Sequence, residues 1–237
     1  NIDNNDFPMH EYNGENYYHP VYISQIILKL ISSYLKTDNH SYLELAEYYS
    51  QALLINANEL DEKIFFPYEY NFTLHSGGEN TMYAPWYSGM AQGQVLSVFS
   101  RLYEITSNNV YKEISTKVFN SFKMYPSPNM PWVVWVDNEN YFWIAEYPIY
   151  GLTTRTLNGF IYAIFGLYDY YLINQTNEEV EDLLKASLST IKKYIELYRV
   201  KGDLSLYCLK THAPKYYRQR ENYHAIHTEQ LLNLYKI

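Results

Sequence analysis

Three groups of residues in this chain have the types that proton-transfer and sugar-binding sites use. The first closes an aromatic run, where Trp143 is followed by Ala145, Glu146, Tyr147 and Pro148. A carboxylate beside a phenol can accept a proton or a hydroxyl, and an indole face can stack on a sugar ring. The second runs from Leu206, Tyr207 and Cys208 through Lys210 and His212 to Arg218, Arg220, Tyr223, His224 and His227. Lys210, His212, Lys215, Arg218 and Arg220 gather positive charge within eleven residues of a chain whose net charge is −8. Local cations on an acidic protein suit recognition of a few carboxylates or sulfates better than bulk polyanion binding. Tyr223, His227 and Gln230 fall at i, i+4 and i+7, on one helix face. The third group is Ala84, Pro85, Trp86, Tyr87, Ser88, Gly89, Met90, Ala91, Gln92, Gly93 and Gln94. Its small residues permit close helix approach. Gln92 and Gln94 lie about 200° apart on a helix, so only one of them points into a cavity. The first and third groups also have plain structural readings, as a strand end and as a tightly packed helix start.

Other chemistries are absent from the pattern. There is no Gly-rich phosphate loop, nucleophile elbow or His-Glu-x-x-His sequence. His224 and His227 stand at a spacing that could hold a metal, but no third ligand follows at a clear interval. No metal and no cofactor is expected. The acidic balance argues against a nucleic-acid partner. The single cysteine, Cys208, excludes an internal disulfide. No apolar run reaches the length of a membrane span, and the first residues lack signal-peptide character. An extracytoplasmic or secretory compartment is expected if the chain is a processed fragment. The 29 tyrosines accompany high Asn, Ile and Lys content, so most are expected to fill helix-packing positions with the hydroxyl reaching a polar partner.

These groups must be held by something, and the chain shows a repeat. Tyr34, Tyr103, Tyr168 and Tyr235 are separated by 69, 65 and 67 residues, long enough for a helical hairpin and its connection. Each closes an amphipathic run, at about 20–36, 87–105, 156–172 and 221–236. Second helices are predicted at Tyr42–Ala57, Val110–Phe122 and Glu178–Val200, the last capped by Thr176 or Asn177. Residues 61–86 and 123–155 are too long for plain loops and contain strand-like runs at 64–68, 71–74, 133–136 and 141–144. A further short strand is predicted at Leu204–Leu209. The expectation is one domain over residues 1–237, mainly α, an incomplete (α/α) barrel of helical hairpins with short β-hairpins in its long connections. A stacked solenoid is the alternative.

The ordered set of segments resembles the C-terminal helical domain of the D-glucuronyl C5-epimerases. The matching stretches are Ala84–Gln94, Glu146–Pro148, Leu157–Tyr162 with Gly166–Asp169, Tyr207 with Leu209, and Tyr223, His224 and His227 with Gln230 and Leu231. The resemblance implies a helical-barrel cleft that binds a hexuronic-acid polymer and inverts C5 of its sugars. It implies catalytic or substrate-contacting roles for Glu146, Tyr147, Tyr207 and Tyr223. Lys210 stands where family members typically carry an arginine that contacts substrate, and lysine keeps the charge but loses the bidentate fork. Arg218, Arg220, His227, Trp86, Gln92 and Asn158 are further candidates for substrate binding. Animal members carry an N-terminal β-rich region that helps to build the cleft. A homodimer mate or such a region is therefore an expected partner, with His10, Tyr12, Tyr17 and Tyr18 as local substitutes.

C5 inversion removes a proton next to a carboxylate and returns one on the opposite face, so two groups are needed. The carboxylate charge must be neutralised on the way, a task assigned to Lys210, Arg218 or Arg220. Tyr207 and Tyr223 are the expected proton carriers, with Glu146 and Tyr147 assisting. A phenol normally titrates near about 10; a neighbouring cation can lower it, and a phenol is also a capable donor. Alternatives are a polysaccharide lyase or uronyl hydrolase on the same architecture, or a carbohydrate-binding homologue without turnover.

Overall fold

A computed structural model describes residues 1–74, 80–149, 151, 154–209 and 221–237. Its frame is a set of helical hairpins: α1 (Pro20–Thr37) with α2 (His40–Ile55), α3 (Gly89–Thr106) with α4 (Asn109–Ser121), and α5 (Leu157–Ile173) with α6 (Glu178–Tyr194). The closing helix is α7 (Glu221–Leu234). These bounds match the predicted runs to within a few residues. The last predicted helix is split, with α6 passing into a 3-10 turn at Ile195–Tyr198.

The hairpins share a construction. α1 ends at Asp38 and α3 at Ser107, both with left-handed backbone, and both amides donate to the carbonyl of the recurring tyrosine, Tyr34 or Tyr103, at 2.8 Å. The next residue, Asn39 or Asn108, caps the following helix by accepting a backbone N–H two residues on. Asn177 does the same for α6. An Asn side chain there satisfies a donor that the first helical turn otherwise leaves unpaired.

Alternate helices α1, α3, α5 and α7 pack side by side as an inner arc, and α2, α4 and α6 lie outside it. α3 and α5 approach so closely that a Cβ on Gly93 would sit 2.3 Å from Ala163 Cα, and one on Gly166 would sit 2.1 Å from the Gly93 carbonyl oxygen. Both helices are buried along most of their length. The core runs from Ile23, Ile27 and Ile31 through Val95, Phe99 and Leu102 to Phe160, Ile164 and Leu167. No helix among the described residues is long and apolar enough to cross a membrane.

Among the described residues the long connections form four two-stranded antiparallel pairs, and a fifth, His10–Tyr12 with Glu15–Tyr17, precedes α1. One is the hairpin of Val134–Val136 with Phe142–Ile144, in which Trp143 faces Trp135. Another pairs Pro67–Tyr68 with Trp86–Tyr87. The predicted strand at 204–209 does not form. Its Leu206 amide donates to the Tyr198 carbonyl at 2.8 Å, and against the start of α5 the segment makes an isolated bridge, between Thr156 and Cys208. Its partner backbone turns into a helix after one residue, so no ladder can extend.

Candidate active site

Glu146 is delivered by the 134–144 hairpin to the N-terminal ends of α3 and α5. The Ala145 amide donates to the Val133 carbonyl at 2.8 Å, and the Ala145 carbonyl accepts the Gly89 amide of α3 at 2.8 Å. Gly159, in the first turn of α5, lies against the carboxylate, where a Cβ would come within 2.3 Å of Oε2. Only glycine leaves that carboxylate room. Tyr147 follows, with its carbonyl held by Thr154 Oγ1 at 3.0 Å. Tyr207 reaches the same point from across the start of α5, where the Leu157 amide donates to the Tyr207 carbonyl at 3.2 Å.

These elements converge on one cluster. The Tyr147 and Tyr207 hydroxyls are 3.0 Å apart, and Tyr207 donates weakly to Glu146 Oε1 at 3.4 Å. Tyr223, from the start of α7, sets its ring 4.5 Å from that of Tyr207. Four residues drawn from three distant parts of the chain thus meet. Glu146 is 6% exposed, and Oε2 has no hydrogen-bond partner among the described residues. Burial raises its pKa to about 7, against the opposing pull of donors on Tyr147 and Tyr207. Burial also pushes the Tyr147 and Tyr207 phenols well above their ordinary range, and the nearby Glu146 charge adds to this. The cations that could lower a phenol pKa, Lys210, Arg218 and Arg220, lie outside the described residues, and among the described groups burial and the Glu146 charge act in the opposite direction. The described surroundings of these two tyrosines are apolar and anionic, so they hold the hydroxyls protonated and favour Glu146 as the proton acceptor.

The other candidates take varied places. Trp86 is mostly buried, with its indole N–H donating to the Tyr70 carbonyl at 2.9 Å and its ring stacked on Tyr68 and Phe72. Its ring lies 6.3 Å from that of Tyr147, and it reaches the edge of a cavity of about 600 Å³ that Tyr83, Tyr87, Trp132 and Pro148 also line. Gln92 is corrected from a cleft residue to a core one. It is fully buried, its amide donating to the Ile64 carbonyl and Ser121 and accepting the Phe66 amide. Gln94 is the member of the pair that faces a cavity. Asn158 is buried beside Gly159, its carbonyl accepting from Gln230 at 2.9 Å. His227 is 2% exposed, and its Nδ1 lies 2.8 Å from Ser205 Oγ. It lines a separate cavity of about 270 Å³. His224 Nδ1 turns to the same serine, accepting its amide at 3.1 Å. Burial lowers the His227 pKa to about 4, which keeps it neutral near pH 7. Lys210, Arg218 and Arg220, like His212 and Lys215, lie outside the described residues.

Two supporting arrangements have only faint traces in the sequence. Tyr12 and Tyr17, from the first hairpin, pack on Tyr70 at 4.3 and 5.0 Å, in the same apolar cluster as Trp86 and Tyr147. Beneath the site, Asp137 accepts from Trp143 Nε1 at 3.0 Å and from Tyr194 at 2.7 Å. Arg155 lies 3.5 Å from the same carboxylate and over the faces of Trp135, Trp143 and Tyr194. The Arg155 carbonyl accepts from Tyr198 and from the Leu209 amide, which ties down the strip carrying Tyr207. A lone Asp and a lone Arg eighteen residues apart give no local signal of this pairing.

Comparison with known proteins identifies a family and a fold. A family model described as D-glucuronyl C5-epimerase C-terminus matches residues 60–237. A D-glucuronyl C5-epimerase of Caenorhabditis elegans is 30% identical over 160 residues, which cover 60% of this chain and 24% of that protein. The chain thus corresponds to about a quarter of that relative's length. Among solved structures, a family 76 glycoside hydrolase from a bovine Bacteroides thetaiotaomicron strain superposes with a TM-score of 0.59 at 12% identity, covering 95% of this chain and 46% of that one. A D-mannose isomerase gives 0.54 at 16% identity, covering 84% and 48%. These two likenesses establish a shared helical-barrel fold.

Proposed function

The chain belongs to the D-glucuronyl C5-epimerase C-terminus family, and on that premise we propose that it inverts C5 of hexuronic acid residues in an acidic polysaccharide. The observation that carries this reading is the cluster in which Tyr147 and Tyr207 meet at 3.0 Å beside the buried carboxylate of Glu146. Its parts have the protonation states that the reaction needs. A carboxylate with a pKa of about 7 is both a usable base and a usable acid near neutrality. The phenols stay neutral and serve as donors and relays.

In the proposed step, Tyr207 takes the C5 proton on its oxygen while its own proton passes to Glu146 Oε1. The C–H bond breaks, its electron pair delocalises into the uronate carboxyl group, and one O–H bond replaces another. Tyr223 gives its hydroxyl proton to C5 on the opposite face and becomes a phenolate, and the cluster resets when Glu146 gives up its extra proton and Tyr223 takes one back through solvent. Tyr147 holds the Tyr207 oxygen in place. Neutralising the uronate carboxylate falls to Lys210, Arg218 or Arg220, on the sequence expectation. Trp86 and the aromatic cavity beside Pro148 offer ring faces to the neighbouring sugars.

The test is incubation with uronic-acid polysaccharides in heavy water. Deuterium at C5 without chain cleavage supports the reading. An ultraviolet-absorbing unsaturated end would instead identify a lyase, which shares the first proton abstraction. Binding with neither product would identify a carbohydrate-binding homologue.

A further inference from the structure

The inner arc leaves a second large cavity, away from the tyrosine cluster. It has a volume of about 1080 Å³ and lies between α1 and α7, over α3 and α5. On α1 its wall includes Gln25, Lys29, Ser32 and Lys36, which recur at helical spacing. Arg101 of α3 and Asp169 of α5 also face it and pair at 2.8 Å, neutralising one another. That leaves Lys29, Lys36 and Lys236 against Glu229, a local positive excess on a chain of net charge −8. None of the three lysines forms an ion pair among the described residues.

A second observation points to a ligand. Gln94 lines this cavity at 2% exposure, and its Oε1 has no hydrogen-bond partner among the described residues. A buried carbonyl oxygen left so is destabilising, and a hydroxyl donor would satisfy it. Half-buried Tyr162 and Phe165 supply ring faces beside it. A ligand fitting these groups carries negative charge, hydroxyl donors and apolar ring faces together. An acidic sugar has all three. The cavity begins one helical turn from the tyrosine cluster: Gly159 packs against the Glu146 carboxylate, and Tyr162, three residues further along α5, lines the cavity. From Tyr162 to Asp169 the α5 wall runs about 10 Å.

We infer that this concave face of the inner helices binds a second stretch of the uronic-acid polymer, beyond the residue held at the tyrosine cluster. The inference rests on the proposed substrate class and adds a length requirement to it. It makes Lys29, Lys36 and Gln94 determinants of polymer length and not of the proton-transfer step.

The test is calorimetric binding of an unsulfated uronate tetrasaccharide and dodecasaccharide, which needs no turnover. The wild-type chain should bind the dodecasaccharide more tightly. Lys29→Gln with Lys36→Gln should weaken the dodecasaccharide about tenfold and leave the tetrasaccharide unchanged. The same charge change at Lys192→Gln with Lys201→Gln, elsewhere on the surface, should alter neither. Gln94→Leu, checked by circular dichroism to be folded, should also lose affinity for the longer oligomer alone. Equal affinity for both lengths in wild type, unchanged binding in the Lys29 and Lys36 variant, or an equal loss in the Lys192 and Lys201 control would each overturn the inference. Absence of C5 exchange would count against the epimerase reading alone, because length-dependent binding is measured without it.

Discussion

The hydroxyls of Tyr147 and Tyr207 stand 3.0 Å apart although sixty residues separate them in the chain. The contact exists because the aromatic hairpin delivers Tyr147 while the start of α5 pins Tyr207 by its backbone carbonyl. It places two neutral phenols over one buried carboxylate, an arrangement that can pass a proton without creating a full charge far from an acceptor.

Removing the acceptor should separate activity from stability. Glu146→Gln should lose C5 exchange by about 100-fold or more, the scale of general acid–base catalysis. The folded Glu146 titrates near about 7 against 4.5 for the free group, so between those values the folded state holds a proton that the unfolded state has lost. Its contribution to stability therefore falls as pH rises from about 4.5 through 7. At pH 8 the glutamine variant should be relieved of a penalty of about 3 kcal/mol, read by urea unfolding at pH 5 and pH 8. In wild type, C5 exchange should climb as pH rises through about 7.

His19 and His227 work in the opposite sense. Burial depresses the first to about 3 and the second to about 4. The unfolded chain takes up protons on both below about pH 6.5 while the folded chain does not, so their stabilising contribution is lost as pH falls from 6.5 toward 4. His227→Gln should flatten the acid limb of a thermal-unfolding profile. An unchanged limb would remove His227 from this account.

Gly159→Ala should cost both stability and exchange. Its methyl group would meet Glu146 Oε2 at 2.3 Å and force the carboxylate away from Tyr207. Such overpacking typically costs about 1–3 kcal/mol. Thermal unfolding together with the exchange rate reads both effects, and wild-type exchange in a folded variant would show that the position of the carboxylate is not critical.

Much of this frame was legible in the sequence, for a physical reason. Helical periodicity and Asn caps are local, and Tyr34 and Tyr103 mark equivalent positions, where their carbonyls close equivalent helices. Gln92 and Gln94 show where legibility ends. Their angular separation dictates that they part company, but which one enters the core depends on the 64–66 backbone and Ser121, far away in sequence. The run at 204–209 has strand composition, yet its neighbour becomes a helix, and composition says nothing of that. The carboxylate and phenols of the site were identifiable from the resemblance. The raised phenol pKa values were not, because burial is a property of the assembled fold.

The buried network under the site should matter for stability. Burial alone would raise the Asp137 pKa, but hydrogen bonds from Tyr194, Trp143 and two backbone amides hold it below the usual carboxylate range. Asp137→Ala would strand Trp143 Nε1, the Tyr194 hydroxyl and the Arg155 guanidinium. Breaking a buried charge pair from one side costs about 3–5 kcal/mol. Denaturant unfolding should show a loss of that order, and a loss under about 1 kcal/mol would mean that water replaces the carboxylate at little cost.

The most direct test of the central claim is C5 deuterium incorporation by NMR, in heavy water, for wild type and for Tyr207→Phe. The phenylalanine ring preserves the packing against Tyr223 and removes only the oxygen that joins Tyr147 to Glu146. The account predicts deuterium at C5 in wild type and a loss of about 100-fold or more in the variant. Exchange at the wild-type rate in folded Tyr207→Phe would contradict it.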